Sequence, residues 1–355
     1  MDFNEYKDYF SCTSGKTIAI VYIFEGETSS GFKHYDIWKS DVISEWLMAV
    51  HQNNCIPLIM DVRSFVAKAM NSQLPHIDYV LNLNAGNTEL STLSMVPSVC
   101  SFLDIPCIPC NAVSIISGEN KVFSNTLAIS IGINIPDCAK EGSEGIYRPI
   151  NYGSSRGTKK QKNIIINKSG IYQKFIKGYD ITTPILYHPI HKQLEVLPSV
   201  MYYPSDLDID WFLNEEAKEM RGGYNKKTLQ IDSATKEQFI RLATKAEISC
   251  YCRVDARIKC ESAEEWNELF LNPVSKDRIY FIEINPMPTL KPNINFYNSL
   301  DGLSVDDSFY EIYQMYKDLH ESPTPTGFIL MCSMLSYLKP CVEEKRVDSI
   351  CTDKI

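Results

Sequence analysis

The first 110 residues alternate between short apolar runs and stretches of helical spacing, and this alternation limits the fold more than any single motif. Residues 17–24 form an unbroken run of Thr, Ile, Ala, Val, Tyr and Phe, as in a strand buried on both faces of a parallel sheet. After a polar loop, residues 39–53 place Val42, Trp46, Leu47 and Val50 on one helical face. Apolar runs return at 56–60, 78–84 and 105–109, with a further helix over residues 90–103. The pattern predicts a doubly wound α/β domain over residues 1–110. Residues 111–172 carry Gly and Ser punctuation and a basic run, Lys159, Lys160 and Lys162, which reads as a solvated edge. Residues 172–176, 181–186 and 193–197 are strand-like, whereas 202–232 is polar and loop-like. Residues 235–248 set Phe239, Leu242 and Ala246 on one helical face, and the chain beyond about 300 reads as helical before it frays.

Two further strand-like stretches, 249–258 and 278–286, carry the chemistry. Side chains two apart on a strand share a face, so Arg253 and Asp255 point one way, as do Glu283 and Asn285. If the strands are neighbours, two carboxylates, a carboxamide and a guanidinium converge. Oxygen ligands of this kind suit Mg²⁺ that also holds nucleotide phosphates, and the arginine can stabilise charge on a transferring group. Either strand alone reads as an ordinary solvated face; the pair, closed by Pro286 and Pro288, reads as a site.

Composition excludes several alternatives. A formal charge of −9 argues against a general nucleic-acid binder. No apolar run approaches the roughly 20 residues of a membrane span, and the polar, acidic start is unlike a signal peptide. The expectation is a soluble cytoplasmic protein. The 12 cysteines are scattered, as buried thiols in a reducing compartment are. Cys107 and Cys110 have the spacing of a half-site but lack a second pair. His34, His188 and His191 show no third ligand at metal spacing, so no metal is assigned to them.

Residues 151–157, Asn-Tyr-Gly-Ser-Ser-Arg-Gly, form a second signal, because glycines let a backbone approach phosphate while amides and hydroxyls donate. Alone, this is a turn. Its order with the other signals is more specific: Lys121, then Gly132 to Pro136, Arg148, the loop, residues 173–180, Arg253 and Asp255, and finally Glu283 to Pro288. This series, together with residues 35–40, 78–84 and 103–106, resembles the ATP-grasp ligases, most closely the D-alanine–D-alanine ligase-like branch, from about residue 17 to about residue 297.

The resemblance implies an ATP-grasp fold: an N-terminal domain over 1–110, a small central lobe with a phosphate lid over 111–172, a C-terminal lobe with the Mg²⁺/ATP site over 173–310, and a helical tail over 311–355. It implies that Lys121 and Arg148 contact ATP and that Ser154 and Ser155 lie on the lid. Lys174, Phe175 and Ile176 would form the adenine hinge, and Asp180 would take the ribose hydroxyls. Lys218 would close the site from a mobile loop, Arg253 would contact an acyl phosphate, and Asp255, Glu283 and Asn285 would bind two Mg²⁺, with Mn²⁺ an alternative. Read singly, Lys121 and Lys218 are solvated surface lysines. Departures from the branch are Arg148 for Lys, Gln173 for Glu, Thr289 for a glycine, Ile294 for a hydroxyl, His34 for a Glu, and a short segment between Lys121 and Arg148. The nucleotide half is thus better kept than the amino-acid half. The expected activity is an ATP-dependent carboxylate–amine ligase whose substrates are small molecules other than D-alanine, with a neutral or larger nucleophile favoured by Asn293, Asn295 and Phe296. A degenerate, non-catalytic nucleotide binder is the alternative. A homodimer is left open.

Overall fold

The computed structural model describes residue 7 and residues 10–24, 40–84, 90–151, 153, 155–166, 170–219, 223–292 and 294–338. Ser154, His34 and Asn293 lie outside them, as does the stretch 339–355. The leading apolar run becomes β1 (Thr17–Tyr22). Helix α1 (Ser40–Gln52), β2 (Ile56–Asp61), α2 (Val62–Met70), β3 (Tyr79–Leu83), α3 (Met95–Phe102) and β4 (Cys107–Ile108) follow. The four strands form one parallel sheet in the order β2-β1-β3-β4. Alternation along β1 divides the core: Ile18 and Ile20 pack with Trp46 and Val50, and Ala19 and Val21 with Phe65 and Val99 on the opposite face. Asp61 ends β2 and starts α2, its carboxylate accepting from the Arg63 and Ser64 amides.

Helices α4 (Ala112–Glu119) and α5 (Lys121–Ser130) come next, where the sequence shows only punctuation. Asn120 joins them, its side chain accepting from the Val122 and Phe123 amides at the start of α5. A three-stranded antiparallel sheet, β6-β5-β7, is made by β5 (Gly145–Pro149), β6 (Lys159–Gln161) and β7 (Gly170–Gln173).

The largest sheet has six strands: β8 (Gly178–His188), β9 (Gln193–Val196), β10 (Ser199–Tyr203), β11 (Asn225–Leu229), β12 (Tyr251–Lys259) and β13 (Ile279–Asn285). Its main order is β11-β10-β8-β12-β13, with β9 paired to β8. Helix α6 (Glu215–Glu219) lies between β10 and β11, and α7 (Ser233–Lys245) follows β11. Residues 202–232, polar in sequence, therefore hold a helix and a strand. The strand escapes notice because β11 is an edge strand whose Asn225 and Lys227 face solvent. Phe239 and Leu242 of α7 bury against Ile181, Met201 and Val254 on one face of the sheet. Helices α4 and α5 pack against β13.

Three helices end the described chain: α8 (Phe296–Asp301), α9 (Tyr310–Leu319) and α10 (Pro325–Ser336). Every residue from Pro325 to Leu335 is buried, as expected of a helix apolar all round. Helix α10 sits in the same cluster as Ile18, Trp46, Leu186 and Tyr251, so the N-terminal sheet and the largest sheet share one core; the fraying expected of the tail would fall on residues outside those described. No helix among the described residues is long and apolar enough to cross a membrane.

Candidate functional site

The face of the largest sheet away from α7 carries rows of side chains fixed by register. Arg253 opposes Asn285, and Asp255 opposes Glu283, across β12 and β13. On the other side of β12, Asp255 opposes Thr182, and Arg257 opposes Asp180. The second row continues through Tyr202 on β10 to Lys226 on β11. The register shifts just after Asp255, where Ala256 pairs with Phe281. The four residues that the sequence placed on one surface are thus brought together, directly opposite in pairs.

Their partners are specific. Thr182 Oγ1 donates to Asp255 Oδ1 at 2.7 Å, and Arg253 Nη2 donates to Asp255 Oδ2 at 2.7 Å. From the small sheet, Arg148 donates Nη1 to the Ile282 carbonyl and Nη2 to Glu283 Oε2, both at 2.7 Å. The Lys121 ammonium lies 3.7 Å from that same oxygen. Asn285 Oδ1 accepts from the Met287 amide at 3.0 Å, which fixes the carboxamide. Lys121 and Arg148 are each only 4% exposed, so neither is a solvated surface cation.

Electrostatics follow from this crowding. Burial alone would raise the Glu283 carboxyl, but Lys121, Arg148, Arg253 and Lys218 outweigh it and hold it at about 2. Asp255 moves the other way: burial pushes it up, Arg253 opposes this, and the Glu283 charge adds to it. Two facing carboxylates, one of them penalised for its charge, form a place where a divalent cation is favoured. The set of two carboxylates and one carboxamide fits Mg²⁺.

A cavity of about 360 Å³ opens over these rows. Basic side chains in its wall are Arg148, Lys174, Lys218, Arg253, Arg257 and Lys291, against the acidic Asp180, Asp255 and Glu283. The cleft is therefore basic in a chain of net charge −9. Two buried polar atoms in the lining, Arg253 Nε and Gln173 Oε1, have no hydrogen-bond partner among the described residues. Orphaned atoms of this kind mark a place where a ligand completes the bonding.

At the other end of the cleft, Phe175 and Ile176 line the wall with Phe212, whose ring meets Phe175 edge-on at 6.1 Å. Lys174 also reaches the lining, but its ammonium bonds Asp137 at 2.9 Å and is largely exposed. Asp180 accepts from Arg257 Nη1 at 2.9 Å and from the Leu213 amide at 2.6 Å. Ser155, at φ 62°, accepts from the Lys218 ammonium at 2.7 Å and donates to the Leu213 carbonyl, linking the glycine loop to α6. Arg257 and Thr182 were missed in the sequence. Arg257 had a signal, since 253, 255 and 257 continue the same alternation; its guanidinium also bonds the Ile176 and Gly178 carbonyls and lies 4.6 Å from the Phe175 ring centroid.

His188 and His191 lie elsewhere, at the turn between β8 and β9, and Glu195 joins them. The rings stack at 4.0 Å. His191 Nδ1 lies 2.6 Å from Glu195 Oε1, and His188 Nδ1 accepts from the His191 amide, leaving Nε2 toward the Ser308 carbonyl. Cys107 and Cys110 are buried free thiols.

No family model and no curated protein sequence matches the chain. Solved structures do. D-alanine–D-alanine ligase from Bacillus anthracis, complexed with ATP, is 15% identical, covers 90% of this chain and 98% of its own, and superposes with a TM-score of 0.57. VanG D-Ala:D-Ser ligase from Enterococcus faecalis is 15% identical over 86% of this chain and 99% of its own, at 0.55. D-alanyl-alanine synthetase A from Vibrio cholerae is 11% identical over 86% and 98%, at 0.57. The chain therefore has the ATP-grasp fold, as the sequence resemblance implied.

Proposed function

We propose that this chain is an ATP-dependent carboxylate–amine ligase acting on small molecules other than D-alanine. One observation carries the reading: Asp255 and Glu283 face each other in register, with Asn285 and Arg253 in the adjoining pair, on the floor of a basic cleft. The fold shared with ligases of known activity supports it. When bound, Mg²⁺ would neutralise charge on the phosphate oxygens.

In this reading Asp255, Glu283 and Asn285 hold two Mg²⁺. Lys121 and Arg148, already beside Glu283, meet the phosphates. Ser154 and Ser155 cover them, and Lys218 ties that cover shut through Ser155. The backbone and apolar groups of Lys174, Phe175 and Ile176 receive adenine. Asp180 takes a ribose hydroxyl beside its present partners, which a carboxylate can do because it has about four lone-pair sites. A substrate carboxylate oxygen attacks the γ-phosphorus of ATP, the bond to the β,γ-bridging oxygen breaks, and an acyl phosphate and ADP form. The amine nitrogen then attacks the acyl carbon, phosphate leaves, and the amine gives up a proton to solvent. Arg253 offsets charge on the acyl phosphate, and the protein positions the reactants without a covalent nucleophile.

The Arg148–Glu283 pair at 2.7 Å favours a second reading, a nucleotide binder without turnover, because it occupies an oxygen that a metal would use. The two readings separate on ADP release from ATP·Mg²⁺ with pooled amino acids and small acids. Release in the wild type, abolished in Glu283→Gln, is expected. Tight nucleotide binding with no ADP under any condition would leave the binder.

A further inference from the structure

Arg257 lines the cleft but has no part in the scheme above. It continues the alternation of Arg253 and Asp255 along β12 and is only 3% exposed. Its Nε donates to the Ile176 carbonyl, Nη1 to Asp180 Oδ1 at 2.9 Å, and Nη2 to the Gly178 carbonyl at 2.7 Å. Nη2 also donates to the carbonyls of Ile209 and Trp211. The guanidinium carbon lies 4.6 Å from the Phe175 ring centroid. A planar fork of N–H donors can serve such a set at once. A lysine ammonium, a point charge on a flexible stem, cannot.

The guanidinium stands where two irregular stretches meet: residues 174–177 between β7 and β8, and residues 204–214 between β10 and α6. Sheet register does not set the course of either. Gly178 shows how closely the first is laid on β12: at φ 131°, a Cβ there would meet the Ile258 carbonyl oxygen at 1.9 Å. The Gly178 amide in turn donates to the Ile209 carbonyl at 2.7 Å. The ligase reading gives adenosine the backbone of Lys174 to Ile176 for its base and Asp180 for its ribose. With Oδ1 on Arg257 and Oδ2 on the Leu213 amide, the Asp180 carboxylate is fixed in one orientation, and lone pairs remain for a ribose hydroxyl. Without the guanidinium, one oxygen alone would hold it, and the Ile176 and Trp211 carbonyls would lose a buried donor.

We propose that Arg257 is a positioning residue for the adenosine half of the nucleotide: it holds the Asp180 carboxylate for the ribose and the Ile176 peptide for the base, and so sets ribose recognition without touching the phosphates. The proposal rests on the ligase reading, in which the cleft binds ATP, and deepens it. Its effect is confined to the adenosine end, because Lys121 and Arg148, which meet the phosphates in that reading, are held by Glu283 and share no partner with Arg257 among the bonds described.

Calorimetric titration of the full chain with the Mg²⁺ complexes of ATP, 2′-deoxy-ATP, 3′-deoxy-ATP and tripolyphosphate tests it. The wild type is expected to bind ATP about tenfold more tightly than at least one deoxy analogue, the scale of a hydrogen bond to a charged group. In Arg257→Lys, which keeps the charge and loses the fork, that preference should vanish while tripolyphosphate binds as before. Should the lysine variant not fold, Arg257→Gln gives the same comparison. Asp180→Asn should also lose the preference, and adding Arg257→Lys to it should change the ratio no further, because the arginine acts on the ribose through the carboxylate. A merely structural role would instead weaken ATP and both deoxy analogues by one common factor and leave the ratio intact. An intact ratio in the Arg257 variant, an equal loss of tripolyphosphate, or a wild type that binds ATP with no ribose preference overturns the proposal. A wild type that binds neither ATP nor tripolyphosphate would instead remove the ligase reading on which it depends.

Discussion

Glu283 serves two tasks that pull apart under mutation. It offers oxygen to the cleft, and it is the counter-ion of Lys121 and Arg148, both almost fully buried. From sequence alone, Glu283→Gln is a clean loss of metal-site charge at nearly constant volume. The structure changes that expectation, because the amide leaves two buried cations without their carboxylate. Breaking a buried pair from one side costs roughly 3–5 kcal/mol, less here because the glutamate is partly exposed. A lower urea midpoint is therefore expected alongside lost turnover; an unchanged midpoint would show that the cations find other partners. His188 gives a second residue-scale expectation. Burial lowers its imidazole below the ordinary 6.5, outweighing the Ser308 carbonyl and Glu195, while His191 adds to the lowering. The unfolded chain then binds more protons just below that value, so the contribution is complete above 6.5 and is lost as pH falls toward the folded value. Stability measured from about pH 7 down to about pH 5 should fall less steeply in His188→Phe than in the wild type. Parallel slopes would exclude His188 as the source.

At the scale of elements, what could be read from sequence was what repeats with a period. α1 announces itself by helical spacing and β12 and β13 by alternation, and the period of two put Arg253 with Asp255 and Glu283 with Asn285. It would have given Arg257 as well. Lys121 had no periodic signal; its burial comes from the start of α5 packing against β13, a long-range contact. Lys226 and Lys291 lay in segments that look polar because one is on an edge strand and the other follows a proline-rich turn. That turn is held by α4. A Cβ on Gly118 would meet the Pro286 ring at 2.6 and 2.9 Å and the Ile284 carbonyl oxygen at 3.1 Å. At an open helical position Gly→Ala stabilises by about 1 kcal/mol, but here a rigid ring stands in the way. Gly118→Ala is expected to destabilise by about 1–3 kcal/mol and to lower turnover by displacing Asn285, which immediately precedes Pro286. Urea denaturation decides the sign: a raised midpoint would mean that the turn yields without cost.

Across the whole molecule, the cleft depends on a helix far from it in sequence. α10 is buried on all sides and touches the core of the N-terminal sheet through Ile18 and Trp46, and that of the largest sheet through Leu186 and Tyr251. The sequence reads as helical there but does not give the helix's destination, because no pattern within a helix apolar all round says what covers it. Its Phe328, Ile329, Leu330, Met331, Met334 and Leu335 are each at most 1% exposed. At roughly 1.5–3 kcal/mol for each such side chain, the six together reach the whole net stability of a typical domain, about 5–15 kcal/mol. A chain ended at His320 should therefore lose more than a tail. It is expected to lack a cooperative thermal transition, to bind hydrophobic dye, and to lose nucleotide binding even though every cleft residue is still present. A truncated chain that melts cooperatively and still binds the ATP analogue would show that the two sheets hold the cleft without the helix between them.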